Sequence, residues 1–229
     1  MFFVLCFIII VYGLKFSNLV LLNVNVKKEK TMDIIYLLLK AVAIIVAITV
    51  HEFIRALTST LLGDKKPKKD KRLTLNPIKH FEPIGFFIAY ATGCGWGRPV
   101  DTSALYYKNR KAGILITAIV PSVINIVTAV IFAVAYKMLF GFNIYLNTFF
   151  YYAIYHNIAL AVYNIMPVSP MDGQKVLSCV LKPNNYFKYL QYEKIVQIIF
   201  LLLLFMGYTD MVFDPIINGI MTLIDIILL

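Results

Sequence analysis

The chain has 229 residues, 60% of them apolar and only 15% charged, with a mean hydropathy of +0.78. Soluble globular domains run at roughly 45–50% apolar and about 25% charged, so this balance argues against a water-soluble enzyme and against a disordered chain. The net charge of +10 does not point to nucleic acid either, because the 22 Lys and Arg lie between long apolar runs, where they orient spans and meet anionic lipid. Cys6, Cys94 and Cys179 form no C-x-x-C pair, which speaks against a thiolate zinc site or a disulfide framework and leaves them as buried thiols.

Residues 1–26 are apolar apart from Lys15 and a few Asn and Ser, and Lys27-Lys28-Glu29-Lys30 follows. Lacking a basic start and a small-residue cleavage site, residues 1–31 read as an extra span or as an upstream extension ahead of Met32. Residues 33–62 predict one helix, with Thr31 or Asp33 to cap it and Gly63 to end it. At about 1.5 Å per residue it is roughly 45 Å long, more than the roughly 30 Å hydrocarbon core. Residues 65–80 form a basic loop. Residues 83–100 are apolar but contain Gly85, Gly93, Gly95 and Gly97, which predicts a re-entrant strand or hairpin packed within protein. Residues 112–140 and 144–166 are two further spans, 174–181 a short helix and 195–212 a last full span, while 215–229 are short for a crossing and lie at the interface or complete the bundle.

The expected fold is an all-α integral membrane protein, a helical bundle of four or more spans with a small re-entrant strand element. Its membrane domain covers residues 32–212, preceded by the apolar extension and followed by the apolar segment 213–229. Segments 63–111 and 167–194 fall on one side and hold 15 of the 22 Lys and Arg, so the positive-inside rule places that side in the cytoplasm.

His51, Glu52 and Arg55 lie within the first long helix, His51 about 18 Å from its cytoplasmic end. A charge at mid-bilayer costs about 2.5–3.5 kcal/mol even on the lenient insertion scale, so three ionisable groups in five residues mark a functional site. A second group closes another span: in Asn164-Ile165-Met166-Pro167-Val168-Ser169-Pro170-Met171-Asp172-Gly173, the prolines break the helix and let Asp172 turn back toward the His51 helix.

His51-Glu52-Phe53-Ile54-Arg55 resembles the H-E-x-x-H element of the site-2 protease family of intramembrane metalloproteases, and residues 164–173 resemble its N-x-x-P-x-x-P-x-D-G element. Between them, residues 72–80, the Gly95-Trp96-Gly97-Arg98-Pro99-Val100 segment, and Pro121 with Asn125 are similar to loop and P-x-x-N elements of its short bacterial branch. The resemblance implies zinc held by His51 and Asp172 together with a second helix histidine, Glu52 as general base, and Asn164 as an amide facing the substrate. The close glycines around Trp96 and Gly97 suit the backbone approach of an extended substrate. Arg55 stands where the second histidine belongs, and guanidinium has no lone pair for a metal.

Two functions follow from the resemblance, and a third stands outside it. The first is a pseudoprotease that binds membrane helices, with Arg55 pairing Glu52 or Asp172 in place of zinc. The alternative is an active metalloprotease with a substitute ligand, for which His156, at membrane depth, is the candidate. A transporter with a charge relay explains the ionisable residues but not the Pro-rich Asn164 segment. The expected partners are membrane lipid and transmembrane or membrane-proximal protein segments, with no nucleic acid, and the expected location is a bacterial cytoplasmic membrane with the site opening to the cytoplasm. His80 is expected to be a loop histidine beside the headgroups.

Overall fold

The computed structural model describes residues 30–228, so the expected extra span or extension at the N-terminus lies outside the described residues. All regular structure among the described residues is helical: α1 (Lys30–Leu61), α2 (Lys66–Lys69), α3 (Pro77–His80), α4 (Pro83–Thr92), a 3-10 turn (Ala104–Tyr106), α5 (Arg110–Met138), α6 (Ile144–Tyr163), α7 (Gly173–Val180), α8 (Pro183–Phe205) and α9 (Asp210–Ile227).

Local chemistry sets these boundaries. Gly63 ends α1 with φ +105°, a left-handed conformation that glycine adopts without a Cβ penalty. Asn109 and Asn143 cap α5 and α6 by accepting the backbone N–H groups of Ala112 and Tyr145. Just past α1, the buried Asp64 accepts from Ser59 Oγ and from the backbone N–H groups of Lys66 and Ser103, which fixes how the chain leaves the helix.

Helices α1, α5 and α6 pack on one another and form the centre of the bundle. Small residues allow the close approach: Ala43, Ala47 and Ala56 of α1, Ala129 and Ala133 of α5, and Ala153, Ala159 and Ala161 of α6 are all buried. The larger core forms where Ile154, Ile158 and Val162 of α6 meet Phe200 and Leu204 of α8 and Ile217 and Ile224 of α9. A second cluster, Ile44, Ile48, Ala89 and Leu160, joins α1, α4 and α6 beside the ionisable residues.

The strand element is corrected. Residues 83–100 hold helix α4 and then an irregular strap, not a strand or hairpin, and no strand occurs among the described residues. Pro83 begins α4, the Glu82 carboxylate caps it at Ile84 and Gly85, and Gly93 ends it at φ +80°. Two of the glycines serve contact: a Cβ on Gly85 would overlap the Trp96 carbonyl and indole, and one on Gly95 would overlap the Gly85 carbonyl and Ala89. The strap thus lies back along the helix that precedes it and has no ladder partner.

The expected number of spans also changes. Among the described residues two helices qualify by length and apolarity, α1 over Ile34–Leu61 and α5, or three if α8 and α9, which meet at a 72° bend, form one broken span. Helix α6 falls short because Asn147, Thr148, His156, Asn157 and five tyrosines dilute its apolar residues. It holds the middle of the bundle instead, buried from Ala153 to Tyr163 apart from the half-buried Tyr155. The last helical region begins at Pro183, well before residue 195, and breaks where Gly207 takes φ +77°; residues 215–227 belong to α9.

Gly85→Ala is expected to lower the thermal unfolding midpoint in detergent, since overpacking typically costs about 1–3 kcal/mol. Gly219→Ala, on an exposed part of α9 with nothing near a new Cβ, should leave the midpoint unchanged or raise it. Equal midpoints for the two variants would show that the strap does not lie on α4.

Candidate functional site

Helix α1 contributes His51, Glu52 and Arg55, α5 contributes Asn125, α6 contributes Asn157, and the residues after α6 contribute Asn164 and Asp172. None of these is more than 4% exposed. The 164–173 segment is folded back on itself. The Gly173 N–H donates to the Asn164 carbonyl at 2.7 Å, the Asp172 N–H donates to Asn164 Oδ1 at 3.4 Å, and a Cβ on Gly173 would overlap the carbonyls of Ile165 and Met166. The buried Met171 seats the loop in the core, and Asp172 is left facing α1.

Arg55 is the hub. Its Nη1 donates to both oxygens of Glu52, at 2.7 and 2.9 Å, and its Nη2 donates to Asp172 Oδ2 at 2.5 Å and to His51 Nε2 at 3.2 Å. Lys175, on α7, donates to the other Asp172 oxygen at 3.0 Å. The buried carboxylates are therefore paired by the buried Arg55 and, on Asp172, by the half-buried Lys175.

A chain of amides orients the His51 ring. Asn157 Nδ2 donates to the Ala153 carbonyl, which leaves Asn157 Oδ1 to accept from Asn125 Nδ2 at 2.9 Å. Asn125 Nδ2 also donates to the Ala47 carbonyl, so Asn125 Oδ1 is the atom 2.9 Å from His51 Nδ1. That oxygen only accepts, so His51 Nδ1 carries a proton, and Nε2 faces Arg55. His51 Nε2 also lies 3.0 Å from Asp172 Oδ2, so these two atoms and the Arg55 Nη2 meet at one point.

These residues do not fit zinc. A structural or catalytic zinc takes at least three protein ligands at about 2.0–2.3 Å, and the point on which His51 and Asp172 converge is held by a nitrogen that has no lone pair to give. Among the described residues no group of three or more His, Cys, Asp or Glu could hold a metal ion. His156 does not complete one: it packs against Tyr152 and Tyr155, and its Nε2 has no partner.

The other expected site residues are placed as follows. The Asn164 side chain is occupied within its own segment, donating to the Leu160 carbonyl at 2.8 Å and accepting from Asp172, so it positions the Asp172 loop. Gly97 is pressed against Ile48, Glu52 and the His80 carbonyl, with no room for a Cβ. The strap is clipped over Glu52: the Val100 N–H donates to Glu52 Oε2 at 2.8 Å, the Arg98 N–H donates to the His80 carbonyl at 2.8 Å, and Arg72 Nη2 donates to the Arg98 carbonyl. Arg55, Glu52, Trp96, Gly97, Asn164 and Pro170 line a void of about 10 Å³, close to the room one water needs.

His80 is not an exposed loop histidine but the last residue of α3. It is fully buried behind the strap, where burial lowers its pKa below the ordinary histidine value and its Nε2 lies 2.7 Å from the Thr74 carbonyl. Sequence reasoning also missed Lys175 and Asn157. The three-residue spacing of Asp172 and Lys175 was a readable signal; Asn157, an amide beside the more conspicuous His156, gave none.

The chain is 33% identical over 187 residues to the Bacillus subtilis protein named "Putative zinc metalloprotease YwhC", an alignment covering 78% of this chain and 85% of that protein. No family model and no solved structure matches the chain.

Arg55→Leu is expected to destabilise the bundle strongly, because removing one partner of a buried ion pair costs roughly 3–5 kcal/mol in soluble hosts. Adding Asp172→Asn should recover part of that loss in a detergent unfolding assay. Strictly additive changes would show that the two side chains do not interact.

Proposed function

The chain belongs to the family of the Bacillus subtilis protein named "Putative zinc metalloprotease YwhC", and on that premise we propose that it is a site-2-protease-type membrane protein that has given up catalysis, a pseudoprotease that binds membrane helices. One observation carries this reading: Arg55 Nη2 lies 3.2 Å from His51 Nε2 and 2.5 Å from Asp172 Oδ2, bonded to both atoms that a metal would need as ligands. Guanidinium stays charged at every relevant pH and repels a metal ion.

Glu52 supports the same reading. Both its oxygens are taken by Arg55, and one also receives the Val100 N–H. A general base must be able to reach a proton on the reacting group. Here the carboxylate is an ion-pair partner and a clip for the strap. What remains of the site is a pocket at membrane depth bordered by Trp96 and Gly97, which suits recognition of a neighbouring membrane segment. The cytoplasmic membrane of a bacterium, with the site on the cytoplasmic side, is the setting that the Lys and Arg distribution favours.

Metal analysis tests the proposal. The protein purified from membranes should carry zinc well below one ion per chain, and stoichiometric zinc that disappears on Asp172→Ala would overturn the pseudoprotease reading. Zinc that then disappears on His156→Ala would name that residue as the substitute ligand. Arg55→His is expected to restore zinc binding, because residues 51 and 55 share a helix face and the amide chain already turns His51 Nε2 toward position 55. No zinc in Arg55→His would mean that Asp172 does not come within ligating reach of α1.

A further inference from the structure

We propose that the strap over Glu52 is an acid-released latch: neutral His80 pins it shut, and a proton on His80 lets it go. The latch does not depend on what the site binds.

His80 ends α3 and is fully buried. Its Nε2 lies 2.7 Å from the Thr74 carbonyl, which only accepts, so Nε2 carries a proton. Its Nδ1 is buried with no partner. In the neutral ring that atom is a bare lone pair, a small demand on its surroundings. In the cation it is a second N–H without an acceptor, joined to a charge cut off from water, which is the costlier defect.

The neighbours give such a cation no relief. On α1, Arg55 and Glu52 face His80, and both Glu52 oxygens are already held by Arg55, with the Val100 N–H on one of them. Ahead of α3 comes Arg72, whose own Nε–H is also buried and unpartnered, so a protonated His80 would leave two unmet donors beside the strap. Lys79, Arg98 and Asp101 are exposed, and Glu82 spends its carboxylate capping α4. Burial, with two guanidinium groups against one engaged carboxylate, therefore holds the His80 pKa below the ordinary histidine value of about 6.5. Once the strap lifts, His80 meets water and regains that ordinary value. The open form then binds more protons, so the closed form holds above about pH 6.5 and is lost as pH falls through the lowered value.

The same residue carries the strap. The Arg98 N–H donates to the His80 carbonyl at 2.8 Å, and Gly97 lies so close to that carbonyl that a Cβ would overlap it. Arg72 holds the carbonyls of Arg98 and Pro99, and the next residue, Val100, donates to Glu52. Residues 97–100 have no ladder, so withdrawing His80 removes the anchor of the Glu52 clip and lets the strap lift.

The full chain in lipid nanodiscs tests this. Trp96, on the strap, is the single tryptophan of the sequence, and His80 is the one histidine that follows a lysine. Labelling lysine with carbon-13 at the carbonyl and histidine with nitrogen-15 therefore picks out the His80 NMR signals. Between about pH 7.5 and about pH 5, His80 is expected to pass from the neutral Nε2–H form to the cation, with its midpoint below the ordinary value. Quenching of Trp96 fluorescence by acrylamide is expected to rise with the same midpoint, the open-to-closed ratio changing by up to about tenfold per pH unit for one proton. In His80→Gln, whose amide keeps a donor for Thr74 but takes up no proton, quenching should stay flat. A His80 that remains neutral down to about pH 5, beside constant quenching, overturns the latch. So does a His80 that titrates while Trp96 quenching stays constant. A rise in quenching that follows the midpoint of His51 or His156, or that persists in His80→Gln, overturns it too, as does a His80 already charged at about pH 7.5. If His80→Gln does not fold, the two wild-type titrations still decide.

Discussion

A guanidinium placed inside a membrane bundle must find partners for its charge and for its donors, and the arrangement around Arg55 follows from that constraint. The planar fork reaches acceptors on its own helix one turn away, Glu52 and His51, and on a loop 117 residues along the chain, Asp172. A lysine, with three donors on one compact ammonium, lacks the planar fork that here holds both Glu52 oxygens with one nitrogen and Asp172 and His51 with another. Arg55 thereby ties α1 to the end of α6, and the loop that carries Asp172 is held for the purpose by the Asn164 side chain and the Cβ-free Gly173. Buried ion pairs often contribute little net stability compared with apolar residues of equal volume, whereas leaving one member unpaired is costly. In this bundle the cluster therefore acts mainly on specificity: packings that separate α1 from the 164–173 loop strand a charge and are disfavoured.

The amide chain adds a second layer. His51 is positioned by Asn125, and Asn125 by Asn157 and the Ala47 carbonyl, so one proton assignment depends on three helices. Such chains hold only when every member is satisfied. The small residues among these helices serve that requirement, because Ala43, Ala47, Ala153 and Ala159 let the backbones approach closely enough for short side chains to meet.

The parts of this structure that could be read from the sequence were those governed by local rules. Gly63 stopped α1, apolar length marked α1 and α5, and the depth of His51, Glu52 and Arg55 marked the site. Residues 83–100 misled because glycine has two structural uses. Glycine clusters were read as strand and turn chemistry, but Gly85 and Gly95 are contact glycines that let a strap lie on a helix, and contact with a segment ten residues away leaves no local pattern. Helix α6 misled in another way: residues 144–166 read as a full span, but amides and tyrosines dilute their apolarity, and the second half of the helix is buried in protein. His80 looked like a solvated loop residue because its neighbours in sequence are basic, and only the folded strap shows what covers it.

Charge accounts for how the proposed change from ligand to arginine could be accommodated. A divalent ion among Glu52 and Asp172 would face two carboxylates, with His51 neutral. Arg55 supplies only one positive charge, which by itself would leave Asp172 and Glu52 in excess in a medium that penalises net charge. Lys175 supplies the second, at 3.0 Å from the Asp172 oxygen that is directed away from Arg55. The cluster is neutral with two monovalent cations where one divalent ion would serve. Arg55 and Lys175 hold the two oxygens of one carboxylate, so the i,i+3 lysine beside the aspartate belongs to the site as much as the arginine does.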